Sequence, residues 1–144
     1  MDSSILPSIT MGASCSLNEA ALFVYCSEAA SLRAAAACHV VRPRSGSKSA
    51  LLAWYATALN FPGYFGHNWD ALEECLRDLA WLPPGRILIH HRDLPLQGKG
   101  QLAECRSYLA LLANTVHHWR SAAGRELVVA FEPHCQAALQ ALML

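Results

Sequence analysis

The sequence predicts an α/β fold in which a small parallel sheet is packed against helices. Three mostly apolar runs, residues 38–42, 86–90 and 126–131, are typical of short strands that are buried on both faces. A helical stretch separates each run from the next, and parallel strands need such crossovers because a tight turn cannot join them. At 144 residues, the chain is long enough for one domain with its own core.

The N-terminal part of the chain is predicted to precede the sheet and then to extend it. Residues 1–18 are rich in serine and follow no period, so we expect a loose leader. Residues 21–25 form a short apolar run that we interpret as an edge strand. Ser27 stands where a helix N-cap is needed, ahead of the alanine-rich residues 28–37. An extra N-terminal strand and helix are therefore expected in a domain that spans residues 19–132.

The middle of the chain predicts a helix over residues 50–59. Ser47 or Ser49 can cap its first turn, since either hydroxyl can accept a hydrogen bond from a free backbone N–H. Residues 60–63, Asn-Phe-Pro-Gly, end the helix because proline disfavours helical backbone in the residue before it. The apolar positions that recur at helical spacing are Leu51, Leu52, Tyr55 and Leu59.

Two further helices are predicted in the C-terminal half. Residues 101–122 form the longest helical stretch, and Gly124 stops it before the last strand. Pro133 interrupts the chain after that strand, and residues 133–144 are expected to hold a short C-terminal helix that begins at residue 136. The apolar side of the long helix contains Leu102, Cys105, Leu109, Leu112, Val116 and Trp119.

Composition and charge disfavour several classes of protein. Eleven Lys and Arg residues balance eleven Asp and Glu residues, so no overall positive potential favours nucleic acid. No apolar run approaches the ~20 residues of a membrane helix. An acid, Asp2, stands where a signal peptide needs basic residues. We therefore expect a cytoplasmic protein that binds neither nucleic acid nor membranes.

The cysteines and histidines predict neither a disulfide framework nor a metal site. The six cysteines contain no CxxC pair, and in a chain of this size we interpret them as reduced, buried thiols. The adjacent pairs His90-His91 and His117-His118 point in different directions on a strand or a helix, and no HxxxH spacing occurs. No metal ligand, cofactor or catalytic residue is predicted.

The most informative feature is a short amphipathic helix that begins at residue 69. At steps of about 100° per residue, its apolar side chains fall in one arc of roughly 120° and its charged side chains in an opposite arc of roughly 140°. The apolar set is Trp69, Leu72, Cys75, Leu76 and Leu79, and the charged set is Asp70, Glu73, Glu74, Arg77 and Asp78. Four acids and one base give the charged face a net charge of −3 in a chain that is neutral as a whole. Asn68 is a strong N-cap for this helix, and an acid in its first turn suits the helix dipole.

The residues that enter this helix complete a longer motif. The run Tyr64-Phe65-Gly66-His67-Asn68-Trp69-Asp70-Ala71-Leu72-Glu73-Glu74-Cys75-Leu76 resembles the signature of barstar-type ribonuclease inhibitors. That signature has an aromatic pair, a glycine, an asparagine cap, then Asp-Ala-Leu and a second acid four residues after the first. The order of elements is similar over roughly residues 38–131. The resemblance implies a three-stranded parallel sheet packed with helices, in a protein that plugs a ribonuclease active site.

In this family, the aromatic loop and the acidic helix form the binding surface. We expect Phe65 to belong to the core, and Gly66 to supply a positive φ or a close backbone approach at the helix entrance. His67 is expected either to contact the partner or to tune the neighbouring carboxylate of Asp70. Carried over by position, the contact candidates are Tyr64, Gly66, Asn68, Asp70 and Glu74, flanked by Glu73, Arg77 and Asp78.

The resemblance also implies what the partner is. A ribonuclease site concentrates Lys, Arg and His around a phosphate, and a carboxylate can occupy that position without being cleaved. The expected partner is a cognate ribonuclease or another nuclease toxin, bound 1:1 by an inhibitor that is monomeric alone.

Departures from the family's prototype bear on the identity of the target. Glu74 replaces an aspartate, and Glu73 replaces an aromatic residue. Residues 118–120, His-Trp-Arg, stand about where the prototype has an acid late in its last long helix. A different nuclease, or a different kind of toxin, therefore stays open as the target.

Two other functions fit parts of the pattern. Asp70 and Glu74 lie one helical turn apart with His67 nearby, so they could serve a hydrolase by holding a metal or by acid–base chemistry. Catalysis favours a pocket over a convex helix face, which argues against this alternative. A nucleic-acid-binding module is disfavoured by the neutral charge balance.

Overall fold

The structure, a computed structural model, describes residues 16–18, 22–33, 38–42, 47–122 and 124–142. The elements in these ranges are β1 (Ser16–Asn18), β2 (Phe23–Tyr25), α1 (Glu28–Arg33), β3 (Cys38–Arg42), α2 (Lys48–Ala58), α3 (Trp69–Asp78), β4 (Gly85–His91), α4 (Leu102–Ser121), β5 (Arg125–Phe131) and α5 (Gln136–Leu142). A 3₁₀ turn, Pro133–Cys135, joins β5 to α5.

The strands form one sheet in the order β1-β2-β5-β4-β3. Strands β3, β4 and β5 are parallel neighbours, with Cys38 opposite Ile87 and Gly85 opposite Arg125. They form the three-stranded parallel sheet that was predicted, packed with helices. Strand β2 lies parallel to β5 on the other side, and β1 pairs with β2 in the antiparallel direction. The expected N-terminal strand and helix segment thus extends the sheet by two strands.

The N-terminal predictions are corrected at two points. Residues 16–18, the end of the predicted loose leader, form β1. The prediction that residues 21–25 form an edge strand is wrong. Strand β1 covers the outer side of β2, and all three β2 side chains are buried. The rest of the leader, residues 1–15, lies outside the described residues, as do residues 34–37 of the predicted first helix.

The sheet buries apolar side chains on both faces. The larger core combines one face of the sheet with helices α2, α3 and α4, and includes Phe23, Tyr25, Ile87, Ile89, Leu127, Val129 and Phe131 from the strands and Leu51, Leu52, Leu72, Leu76, Leu109 and Leu112 from the helices. Alternate strand residues face the other way and pack with Ala30 of α1, namely Val24, Leu88, Val128 and Ala130. Helix α3, with its charged side chains, belongs to the helical layer on the first face.

Helix ends follow the predicted caps. Ser47 Oγ accepts a hydrogen bond of 3.2 Å from Ala50 N, so Ser47 caps α2 and Ser49 lies inside the helix. Ser27 Oγ accepts from Ala30 N at 3.1 Å in α1. Both contacts satisfy a backbone N–H that the first turn of a helix leaves without a partner.

The cysteines that the structure describes in full are free and buried, as predicted: Cys26, Cys75, Cys105 and Cys135. Cys15 and the side chain of Cys38 lie outside the described part of the chain. Among the described residues, no helix is both long and apolar enough to cross a membrane.

A buried chain of hydrogen bonds joins α2, α4 and β4 beneath the helical layer. His91 Nδ1 lies 3.1 Å from the carbonyl of Ala130, so this nitrogen donates. Nε2 of the same ring lies 2.6 Å from Tyr108 Oη, and Tyr108 Oη lies 2.6 Å from Tyr55 Oη. These contacts fix α2 and α4 relative to the sheet.

Replacing the middle hydroxyl, Tyr108→Phe, should lower the free energy of unfolding by about 1–3 kcal/mol. The change removes two buried hydrogen bonds, those to His91 Nε2 and Tyr55 Oη, and each contributes about 0.5–1.5 kcal/mol. Urea denaturation followed by circular dichroism measures the loss. Tyr55→Phe is the matched control, since the bond from Tyr108 to His91 survives in it. A Tyr108→Phe protein no less stable than Tyr55→Phe would contradict the network.

Candidate protein-binding site

The loop before α3 is anchored by Phe65 and presents Tyr64. Phe65 is buried, its backbone N–H donates to the carbonyl of Pro62 at 3.0 Å, and its ring packs edge-on against Phe61 with centroids 4.9 Å apart. The adjacent Tyr64 is 72% exposed. The expected division of the aromatic pair into a core residue and a surface residue therefore holds.

Asn68 begins α3 as predicted. Its Oδ1 accepts from Ala71 N at 2.7 Å, and its extended backbone, φ −141° and ψ 173°, is that of an N-cap. The first-turn acid Asp70 then lies at the positive end of the helix dipole.

Two tryptophans fix α3 on α4. Trp69, at the start of α3, donates from Nε1 to Glu104 Oε1 at 2.8 Å. Trp119, late in α4, donates from Nε1 to the carbonyl of Leu76 at 2.8 Å. Between these points, Leu72 and Leu76 are completely buried. The helix is therefore held at both ends, and its apolar face cannot turn outward without breaking these contacts.

The Trp69 contact belongs to a small charged cluster with Glu104 and Lys48. The Lys48 ammonium lies 3.6 Å from Glu104 Oε2 and 5.0 Å from the centroid of the Trp69 ring. The hydrogen bond from Trp69, with smaller contributions from Lys48, lowers the pKa of Glu104 against the opposing effect of desolvation. A carboxylate with a lowered folded-state pKa stabilises the fold above its unfolded pKa and loses that contribution as pH falls through the folded value.

The end of α3 is also fixed. Leu79 takes a left-handed conformation, φ 50°, that stops the helix after Asp78 while its side chain stays completely buried. The Arg125 guanidinium then donates to the carbonyls of Leu79 and Leu82 at 3.1 and 3.2 Å. A left-handed leucine is unfavourable, and its burial offsets that cost.

The charged face of α3 points into solvent. We call Asp70, Glu73, Glu74, Arg77 and Asp78 together the acidic surface. Glu73 forms an ion pair of 2.8 Å with Arg77, the one base of the surface. Asp70, Glu74 and Asp78 are exposed and form no ion pair with any residue that the structure describes. Among the described residues, their three negative charges are therefore not neutralised by an ion pair.

Tyr64 lies beside the acidic surface. Its pKa is raised above the ordinary value of a phenol, first by partial desolvation and then by the charges of Asp78, Cys75 and Glu74. The loop leads directly into α3, so the exposed ring of Tyr64 and the acidic surface belong to one continuous stretch of the chain. Asp70, Glu73, Glu74 and Arg77 line a shallow, open depression on the acidic surface.

The positive φ at the helix entrance belongs to His67, not to Gly66. His67 has φ 54°, whereas the expectation that Gly66 supplies this conformation is wrong. A Cβ on Gly66 would make ordinary contacts of 3.5 Å with Asn68 Nδ2 and 3.6 Å with the Ala71 Cβ. The His67 ring is held by its own loop, with Nδ1 3.1 Å from the Phe65 carbonyl and the ring 4.6 Å from that of Phe65.

Several residues that position the surface carry no signal in the sequence. Glu104, Lys48 and Arg125 act through contacts with residues between 21 and 56 positions away, and no local pattern marks such partners. Residues 118–120 are one of the departures from the prototype. Trp119 is half-buried there and supports α3, whereas Arg120 is exposed.

The comparison with protein families agrees with this geometry. The model of the family described as barstar, the barnase inhibitor, matches residues 35–132. The chain belongs to the barstar family. The match covers the three parallel strands, the aromatic loop and the acidic surface, and starts after β1, β2 and α1. No curated protein and no solved structure gave a match to the chain. The barstar family is one of inhibitors, and its prototype target is a ribonuclease.

Removing the cap, Asn68→Ala, should lower the free energy of unfolding by about 1 kcal/mol, because one N–H of the first turn loses its acceptor. Chemical denaturation measures the effect. Asn68→Asp is the matched control, since aspartate caps a helix about as well as asparagine. Equal stability of the alanine and aspartate variants would contradict the capping role.

The pKa of Tyr64 reports on its position beside the acidic surface. Asp78→Asn should lower this pKa, since it removes the largest raising charge, and Asp70→Asn should lower it less. Absorbance titration of the phenol, with Tyr64→Phe as the blank, measures both shifts. Equal shifts in the two variants would contradict a stronger effect of Asp78 than of Asp70 on the phenol.

Proposed function

We propose that this protein inhibits a ribonuclease by filling its active site with the acidic surface and the aromatic loop. One observation carries the proposal. Asp70 and Glu74 are exposed on a helix fixed at both ends, and the single base of the surface is already engaged by Glu73. Their charges therefore stay available to a cationic partner.

The chemistry of a ribonuclease site suits these two carboxylates. Such a site must hold a phosphate and stabilise its developing negative charge with Arg, Lys or His. A carboxylate accepts charge-assisted hydrogen bonds from the same groups, and two of them one helical turn apart offer two anionic positions. Because they sit on a preorganised helix, little conformational entropy is lost when the enzyme binds.

The loop adds shape and apolar contact to the charge. Tyr64 is an exposed aromatic side chain at the side of the acidic surface, and aromatic anchors carry much of the binding energy in protein interfaces. Gly66, His67 and Asn68 are exposed in the same loop. We include them, with Asp78, in the contact surface.

The biological role that fits is an immunity protein for a nuclease toxin. Local negative charge speeds association with a basic site, which suits an inhibitor that must stop a lethal enzyme quickly. We place this action in the cytoplasm, where a ribonuclease would find its RNA. The free protein acts as a monomer and binds its toxin 1:1.

The target of this chain must accommodate a different inhibitor surface from the one that the prototype presents to its target. Where the prototype presents an aromatic side chain, this chain presents Glu73 paired with Arg77. A cognate enzyme must therefore meet a polar, internally neutral pair at that position. The longer side chain of Glu74 also moves its carboxylate outward by one methylene.

A hydrolytic role for Asp70, Glu74 and His67 has less support. The two acids lie on an open helix face, and Nδ1 of His67 contacts the carbonyl of Phe65 in its own loop. An active site needs a concave environment that excludes water.

Glu74→Gln and Asp70→Asn should each weaken binding to the target ribonuclease by at least about thirtyfold, or 2 kcal/mol. This lower limit applies to removing one partner of a buried charge pair, and it derives from work on barnase and barstar themselves rather than from this chain. Titration of ribonuclease activity with the inhibitor measures the change, beginning with barnase and continuing with ribonucleases encoded beside this protein.

A control separates a contact from a general charge effect. Glu28→Gln removes an acid on α1, outside the acidic surface, and should weaken binding much less. Inhibition that is unchanged in Glu74→Gln and Asp70→Asn would contradict the proposed interface.

A further inference from the structure

A second group of polar side chains collects at the carboxyl ends of β4 and β5. Asp93 follows β4 by two residues, and His134 and Cys135 lie in the 3₁₀ turn after β5. The two strands are parallel neighbours, so the segments that follow them emerge side by side. This edge of an α/β sheet is where such folds usually bind ligands.

The distances within this group are those of ligands around one metal ion. His134 Nε2 lies 3.4 Å from Asp93 Oδ1 and 3.6 Å from Cys135 Sγ. All three ligand atoms lie within 4.8 Å of one another. Nitrogen, oxygen and sulfur bound to tetrahedral zinc at about 2.0–2.3 Å are separated by roughly 3.3–3.6 Å. One ion can therefore contact all three without a large rearrangement.

The surroundings orient two of the ligands. Leu94 N donates to Asp93 Oδ1 at 2.9 Å, and Cys135 N donates to the carbonyl of Glu132 at 2.9 Å. Cys135 is buried, whereas the side chains of His134 and Asp93 are about half exposed. The sulfur therefore lies at the buried end of the site. The other two ligands are half exposed, so an ion can enter from solvent.

We propose that Asp93, His134 and Cys135 bind one divalent ion of the zinc type, with water in the fourth position. Sulfur and imidazole donors favour Zn²⁺ and Co²⁺, whereas Mg²⁺ and Ca²⁺ prefer oxygen alone. Three protein ligands with one open position are typical of exchangeable or reactive zinc sites. The site is separate from the acidic surface and does not rest on the proposed function.

A neighbouring cluster of Glu28, His90 and Glu132 is a weaker candidate. His90 is completely buried with Nε2 2.7 Å from Glu132 Oε2, and that oxygen also accepts from Glu28 N at 2.8 Å. The Glu28 carboxylate pairs with Arg92 at 2.9 Å. These groups satisfy one another, and a cation would have to compete with the guanidinium.

The experiment titrates the untagged, reduced full-length protein with Zn²⁺ in a calorimeter and with Co²⁺ in a spectrophotometer. We expect one ion per chain and a thiolate-to-Co²⁺ charge-transfer band in the near ultraviolet. His134→Ala should weaken Zn²⁺ binding by at least about tenfold, since even residues that only support a ligand cost 10–100-fold in affinity. Cys135→Ser should remove the charge-transfer band.

Matched controls are His117→Ala, an exposed histidine elsewhere, and Cys105→Ala, another buried thiol. Both should bind Zn²⁺ as the unaltered chain does. Because Cys135 is buried and its variant is open to misfolding, the exposed His134 gives an independent test. Absence of binding at millimolar Zn²⁺, or binding that His134→Ala leaves unchanged, would overturn the proposal.

Discussion

The docking of α3 onto α4 is the constraint on which the rest of the molecule depends. Leu72 and Leu76 are completely buried against the helical layer, and burial of each leucine is worth about 1.5–3 kcal/mol. The indoles of Trp69 and Trp119 then fix the two ends of α3 by hydrogen bonds of 2.8 Å. Because the apolar face must point inward, the charged face must point outward, and exposure of the acids follows from packing.

This docking also explains why a cluster of like charges is tolerated. Four acids on one short helix repel one another, but Asn68 and the helix dipole stabilise the first turn, and Arg77 neutralises one acid. The remaining repulsion is moderate in water and falls when a cationic partner arrives. Repulsion that decreases when a cationic partner binds favours association of this surface with a basic site.

Much of the fold could be predicted from the sequence because its signals are local. Apolar runs marked β3, β4 and β5, and Ser27, Ser47 and Asn68 marked helix starts, since a cap acts within three residues. The interior position of β2 could not be predicted, because it depends on pairing with β1, whose sequence Ser16-Leu17-Asn18 carries no strand pattern. The candidate surface was predicted from one motif, but its supports were not, since Glu104 and Arg125 act across long separations.

We propose that carboxylates on α3 occupy the positions of RNA phosphate in a ribonuclease. A crystal structure of the complex with the enzyme that this chain inhibits tests it most directly. In that complex, we expect Asp70 and Glu74 oxygens about 2.7–2.9 Å from Arg, Lys or His nitrogens of the active site, the range of charge-assisted hydrogen bonds. A complex in which α3 faces solvent, with the enzyme bound elsewhere on the chain, would contradict it.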